Sequence, residues 1–182
     1  GGEEDAAPAA PPVEGLNPAS VGKSYRGKAR FLRPEELQAY AEATDDSNGQ
    51  YVGFGGDLAP LMFPVNPVMA PIGECVTDPQ TNVDLLRLVH GEQDMRFLKP
   101  LKAWDLVYPV AYFDSFEDKS SGQLMKVRQE LLVDGEVACE IHSGYFIRGK
   151  KKAEGSKPKA PRPAPEVVER DYVFSNTQTV GA

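Results

Sequence analysis

Cysteine, histidine and tryptophan are scarce: two, two and one among 182 residues. Cys75 and Cys139 fall in a predicted helix and a predicted strand, so they supply neither a disulfide framework nor a CxxC metal-ligand spacing. A reducing compartment follows, with no metal site and no cofactor expected. No apolar run approaches the ~20 residues that span a bilayer, and residues 1–12 lack the apolar core of a signal peptide. The expected setting is cytoplasmic, without a membrane partner. Positive charge is also in short supply, since 20 Lys and Arg stand against 27 Asp and Glu for a net charge of −7. That balance does not build the concentrated positive field needed to grip a polyanion, so nucleic acid is not an expected partner.

What is present suits one domain, because a single core commonly serves about 100 to 200 residues. Hydrophobic residues are 41% and charged residues 26% of the chain, and much of the proline and glycine gathers towards the two ends. Residues 1–18 are Ala-, Pro- and Gly-rich with acidic residues and no apolar periodicity; they read as a disordered tail. From Arg33 the pattern turns helical. Pro34 suits a first turn, Glu35 and Glu36 complement the helix dipole, and Leu37, Tyr40, Ala41 and Thr44 recur on one face, with an end expected near 45–48. A glycine-rich loop, 49–56, leads into the most apolar stretch, 58–76. A buried helix is predicted over 66–77, capped by Asn66, with Pro71 removing one internal hydrogen bond.

After His90 the period changes to two, which predicts strands at 91–99, 105–116, 123–133 and 136–148. Asp134-Gly135 marks a hairpin. A two-residue turn pairs 133 with 136 and sets the apolar series Met125, Val127, Leu131, Val133 opposite in face to Val137, Cys139, Ile141, Tyr145, Ile147. One extra residue, in the turn or as a bulge, is therefore predicted to bring both series onto the core. A Lys- and Pro-rich linker is expected over 150–170. Residues 171–182 are strand-like and loosely similar to 23–32, Tyr172 matching Tyr25, and read as the start of a second repeat. Helices followed by antiparallel strands give an α+β class in which the sheet wraps the apolar helix.

Two segments carry a resemblance. Tyr40-Ala-Glu-Ala-Thr-Asp-Asp-Ser-Asn-Gly-Gln-Tyr51 resembles the hydratase motif of the MaoC family, Y-A-x-A-T-G-D-x-N-P-x-H. Leu88-Val-His-Gly-Glu-Gln-Asp-Met-Arg-Phe-Leu-Lys-Pro100 is similar to the H-G-E-Q strand of N-terminal MaoC-like halves. The likeness spans residues 20–149 and implies a hot-dog fold, a curved antiparallel sheet around a long helix, over 19–149. It also implies an activity, the hydration of 2-enoyl thioesters or dehydration of 3-hydroxyacyl thioesters, in which a histidine exchanges a proton with water and an aspartate five residues earlier shares that water. Asp46 and Asn48 match the motif. Tyr51 occupies the histidine position, and a phenol is a poor base near neutral pH. Asp45 replaces a glycine and Gly49 a proline, and Trp104 stands where the family often has the glycine of a Gly-Asp turn.

The motif Asp46, Asn48, Tyr51 is thus vestigial, and no complete catalytic set is expected. In double proteins of this family the first copy has lost the motif and widens the acyl tunnel. The resemblance implies that Met62, Phe63, Val68, Met69 and Ile72 flank such a tunnel, although most of that cluster reads first as core. His90 with Glu92 two residues on, on the same side of a strand, reads as a structural histidine, and His142 as outward-facing. The expected role is the non-catalytic half of an (R)-specific 2-enoyl-CoA hydratase or 3-hydroxyacyl-thioester dehydratase. Its expected partners are an acyl-CoA or acyl-carrier thioester and a catalytic hot-dog domain in cis or trans, with a homodimer where that domain is absent. A binding module without chemistry is the second reading and a hot-dog thioesterase the third.

Overall fold

The computed structural model describes residues 14–51 and 57–149. Residues 1–13 of the tail expected over 1–18, the linker over 150–170 and the repeat start at 171–182 lie outside the described residues. The part of that segment that is described, 14–18, is ordered against the domain. Leu16 is 2% exposed and joins the core, the Leu16 amide donates to the Gln123 side chain, and Asn17 caps a 3-10 turn at Pro18–Ser20. One apolar residue at the right place was enough to dock a segment whose average composition argues for disorder.

Three antiparallel pairings hold the long strands β3 (Leu88–Phe97), β4 (Leu106–Lys119), β5 (Gly122–Val133) and β6 (Glu136–Arg148). The short strands β1 (Ser24–Arg26) and β2 (Arg30–Phe31) both pair with β4, so the sheet order is β1-β4-β5-β6-β3 with β2 beside β1 on β4. Neither β1 nor β2 was expected from hydrophobic period, because two or three residues cannot display one. Helix α1 spans Pro34–Ala43 and α2 Val65–Thr77. Asn66 lies inside α2 and does not cap it; the cap position is Pro64.

Helix α2 buries Val68, Pro71, Ile72 and Cys75, at helical spacing, facing β4 and β5, in one core with Ala111, Phe113, Val127, Leu131, Ile141 and Tyr145 of the sheet. Tyr40 of α1 meets Phe63 edge-on, ring centroids 5.5 Å apart. This is the α+β hot-dog arrangement, with the sheet curved about one apolar helix.

The hairpin irregularity is present. Val133 pairs with Glu136 and Leu132 with Val137, but Leu131 pairs with Cys139, which leaves Ala138 as the extra residue of a bulge. Asp134 and Gly135 both have positive φ, as a tight two-residue turn requires. Beyond the bulge Cys139, Ile141, Tyr145 and Ile147 are buried on the same side as Met125, Val127 and Leu131. Val137 precedes the bulge and is only half-buried. Gly122 opens β5 where the Ile147 carbonyl passes so close that a Cβ would lie 2.1 Å from its oxygen.

Candidate functional site

The motif loop begins at the end of α1. The Asp46 amide donates to the Ala41 carbonyl (2.8 Å) and the Asp45 amide to that of Glu42 (3.2 Å), the paired bonds of a Schellman ending. Its left-handed residue is Asp45, φ 53°, so the aspartate preserves the backbone conformation a glycine would adopt. The Asp46 carboxylate then accepts from the Asn48 amide (3.1 Å), and the Asn48 side chain from the Gln50 amide (3.0 Å). The Tyr51 amide donates to the Asn48 carbonyl at 2.9 Å. Asp46 and Asn48 therefore shape the loop, and Tyr51 stands at its end in the wall of a cleft.

The cleft has a volume of about 330 Å³ and is walled by Gln50, Tyr51, Pro64 and the segments 58–61 and 97–101. Its two irregular walls are tied together: the Ala59 amide donates to the Leu101 carbonyl (2.8 Å), and Leu58 bridges Lys102. The bulge holds one wall in place, since the Ala138 carbonyl accepts from the amides of both Leu98 (2.8 Å) and Lys99 (3.1 Å). Lys99 also pairs with Glu136. Pockets of this size and apolar character commonly take small ligands.

The five residues expected along a tunnel are not brought together. Phe63, Val68 and Ile72 are 1%, 2% and 8% exposed and belong to the core, whereas Met62 and Met69 are 50% and 62% exposed. None of the five lines the cleft, although Leu61 and Pro64 do. Helical geometry separates them: Val68 and Ile72 share the face turned to the sheet, and Met69, one residue on, is rotated by about 100°. The cleft forms instead where the chain enters the helix, from segments without periodicity that only tertiary pairing places side by side.

Both histidines are accounted for elsewhere. His90 stacks on Tyr145 with ring centroids 4.7 Å apart, and its Nε2 lies 3.1 Å from the Glu92 carbonyl. The same-side placement of His90 and Glu92 expected along a regular strand is not kept. A register shift at Gly91 sets His90 opposite Tyr145 but Glu92 opposite Gly144, and the Glu92 carboxylate pairs with Lys126 at 2.6 Å. His142 is exposed and bonds Glu140 at 2.8 Å.

Burial pushes the Cys75 thiol up to about 12, and the nearby Asp78 carboxylate adds to this; Cys139 rises to about 11, again chiefly through burial. Neither supplies a thiolate nucleophile near neutral pH. Among the described residues no group of three or more His, Cys, Asp or Glu side chains could hold a metal ion, and no helix is long and apolar enough to cross a membrane.

Residues 19–141 match the family described as FAS1-like, dehydratase domain region. The chain belongs to that family. Within it, the fold and the two motif segments agree with a MaoC-like hot-dog member of the hydratase/dehydratase class. A UPF0336 protein of Saccharopolyspora erythraea is 27% identical over 144 residues, 74% of this chain and 92% of that protein. The truncated HadBC (3R)-hydroxyacyl-ACP dehydratase complex of Mycobacterium tuberculosis shares the fold with a TM-score of 0.61 at 18% identity, covering 70% of this chain and 96% of that one. A MaoC-like dehydratase of Phytophthora capsici has a TM-score of 0.57 at 25% identity, covering 79% of this chain and 52% of that one.

Proposed function

We propose that this domain is the non-catalytic half of an (R)-specific 2-enoyl-CoA hydratase or 3-hydroxyacyl-thioester dehydratase, which holds part of the acyl thioester for a catalytic hot-dog partner. The observation that carries it is the motif loop. Its backbone keeps the left-handed turn after α1, and it ends on Tyr51 in the cleft wall, with both histidines of the chain engaged on β3 and β6. Water addition needs a group that takes and returns a proton near neutral pH, and the loop carries none.

The free edge of the sheet supports the partner. Among the described residues, strand β3 is bonded on one side only, to β6, and its surroundings expose Leu85 (50%), Leu86 (99%), Phe97 (44%) and Leu98 (54%). An unpaired edge beside exposed apolar side chains favours strand addition or docking. The partner is a second hot-dog domain, in the same native polypeptide or another, and in its absence a second copy of this chain.

The test is catalysis and binding by the isolated chain. No hydration of crotonyl-CoA is expected, while octanoyl-CoA should raise the melting temperature, because a ligand bound only to the native state stabilises it. Turnover of crotonyl-CoA abolished by Asp46→Asn would falsify the non-catalytic assignment. Binding without any requirement for a second domain in the source cells would favour a stand-alone acyl-thioester binding module.

A further inference from the structure

Trp104, the single tryptophan of the chain, has a backbone φ of 69° and a side chain left 59% exposed. The left-handed conformation is sterically disfavoured for a residue with a Cβ, and an indole in solvent recovers little of that through burial. Local bonds impose it. The Trp104 amide donates to the Leu32 carbonyl (2.7 Å), the Leu32 amide to that of Asp105 (2.9 Å), and the Lys102 amide to the Asp105 carboxylate (2.8 Å).

The same bonds fix the neighbours. Lys102 lies two residues before the indole, and Arg33 directly follows the residue whose carbonyl accepts from Trp104. Many cations of this acidic chain are neutralised locally, as Lys23 is by Asp78 and Lys126 by Glu92. The side chains of Arg33 and Lys102 take part in none of the ion pairs formed among the described residues. This turn directly follows one wall of the cleft in sequence. Leu101, a cleft wall, is three residues from Trp104, and the Ala103 amide donates to the Asp57 carbonyl at 2.7 Å.

We infer that Trp104, Arg33 and Lys102 form a site for the phosphorylated adenosine end of a CoA thioester. The base stacks on the indole and the phosphates meet the two cations, from which the pantetheine arm leads into the cleft between 58–61 and 97–101. Stacking on an exposed aromatic and charge-assisted contacts to phosphate are the two interactions such a ligand offers at separate points of its structure. The inference rests on the acyl-thioester reading for the direction of the arm; the adenosine site stands on the turn itself.

The lone tryptophan makes the test specific. Adenosine 3′,5′-bisphosphate titrated into the full chain should quench the emission saturably, and octanoyl-pantetheine, which has no adenosine, should not. Arg33→Ala with Lys102→Ala should weaken binding of the bisphosphate by about tenfold or more. Trp104→Gly suits the left-handed backbone, so the variant is expected to fold while losing affinity for the bisphosphate by calorimetry. Absence of quenching, or equal stabilisation of wild type and Trp104→Gly by octanoyl-CoA, overturns the adenosine site and leaves the cleft assignment intact. Failure of octanoyl-pantetheine to bind, with the bisphosphate still quenching, sinks the cleft assignment alone. Emission that responds to protein concentration but not to the bisphosphate overturns the inference in favour of a contact between copies.

Discussion

Asp45 and Asp78 show how single side chains set local geometry here. Asp45 occupies the left-handed end of α1, which aspartate tolerates through its short polar side chain and a β-branched residue does not. Asp45→Val is expected to lower stability by about 1–2 kcal/mol, with Asp45→Gly close to wild type, read by urea denaturation. Asp78 accepts from Lys23 Nζ (2.5 Å) and from the Tyr25 hydroxyl (2.8 Å), pinning β1 to the end of α2. The Lys23 hydrogen bond, followed by those from the Gln80 backbone and Tyr25, holds its carboxyl down at about 2. A carboxyl whose pKa is lower in the folded state stabilises above its unfolded pKa and loses that contribution as pH falls through the folded value. Wild type should therefore lose stability between about pH 4 and pH 2, a loss that Asp78→Asn reduces in acid-titrated melting curves. If the variant follows the wild-type profile throughout, Asp78 is not the group that titrates.

At the scale of elements, the Ala138 bulge does two things at once. It restores the core face of β6 after a two-residue turn, and its carbonyl anchors the Leu98 and Lys99 amides of the cleft wall. These roles separate experimentally. Deleting Ala138 leaves Cys139 opposite Leu131, so near-UV circular dichroism should still report a packed core while affinity for octanoyl-CoA falls. Inserting one alanine between Cys139 and Glu140 turns Ile141, Tyr145 and Ile147 outward, and cooperative unfolding should disappear. Within the core itself, Phe63→Ala is expected to cost about 3–5 kcal/mol by denaturant titration, because the ring is 1% exposed and packs edge-on against Tyr40 within the core cluster.

For the whole molecule, the side of β3 that no described strand pairs is the feature with the largest consequence. The chain alone is expected to self-associate at micromolar concentration through this edge, as measured by sedimentation. The double variant Leu86→Glu, Phe97→Glu places charge on the exposed apolar rim without entering the core, and should shift the population towards monomer with an unchanged circular dichroism spectrum. A monomeric wild type over that range would mean that the edge does not need covering in this construction of the fold.

Hydrophobic period and turn chemistry determined the four long strands, both helices, the DG hairpin and the need for one extra residue, because periods of 2 and 3.6 are properties of neighbouring residues. The motif order from Tyr40 to Pro100 added the hot-dog family and the missing histidine. Other features were decided by contacts between residues distant in sequence. The docking of Leu16 against Gln123 and the pairing of β1 and β2 with β4 are of this kind. So are the Gly91 bulge that parts His90 from Glu92 and the meeting of 58–61 with 97–101 to form the cleft. Composition cannot encode these, since each depends on which surface the folded sheet presents and not on the segment's own preference. The residues expected along a tunnel show the division most plainly: apolar sequence marked Val68, Met69 and Ile72 alike, and only the rotation of α2 against the sheet determined that Val68 and Ile72 became core while Met69 stayed in solvent.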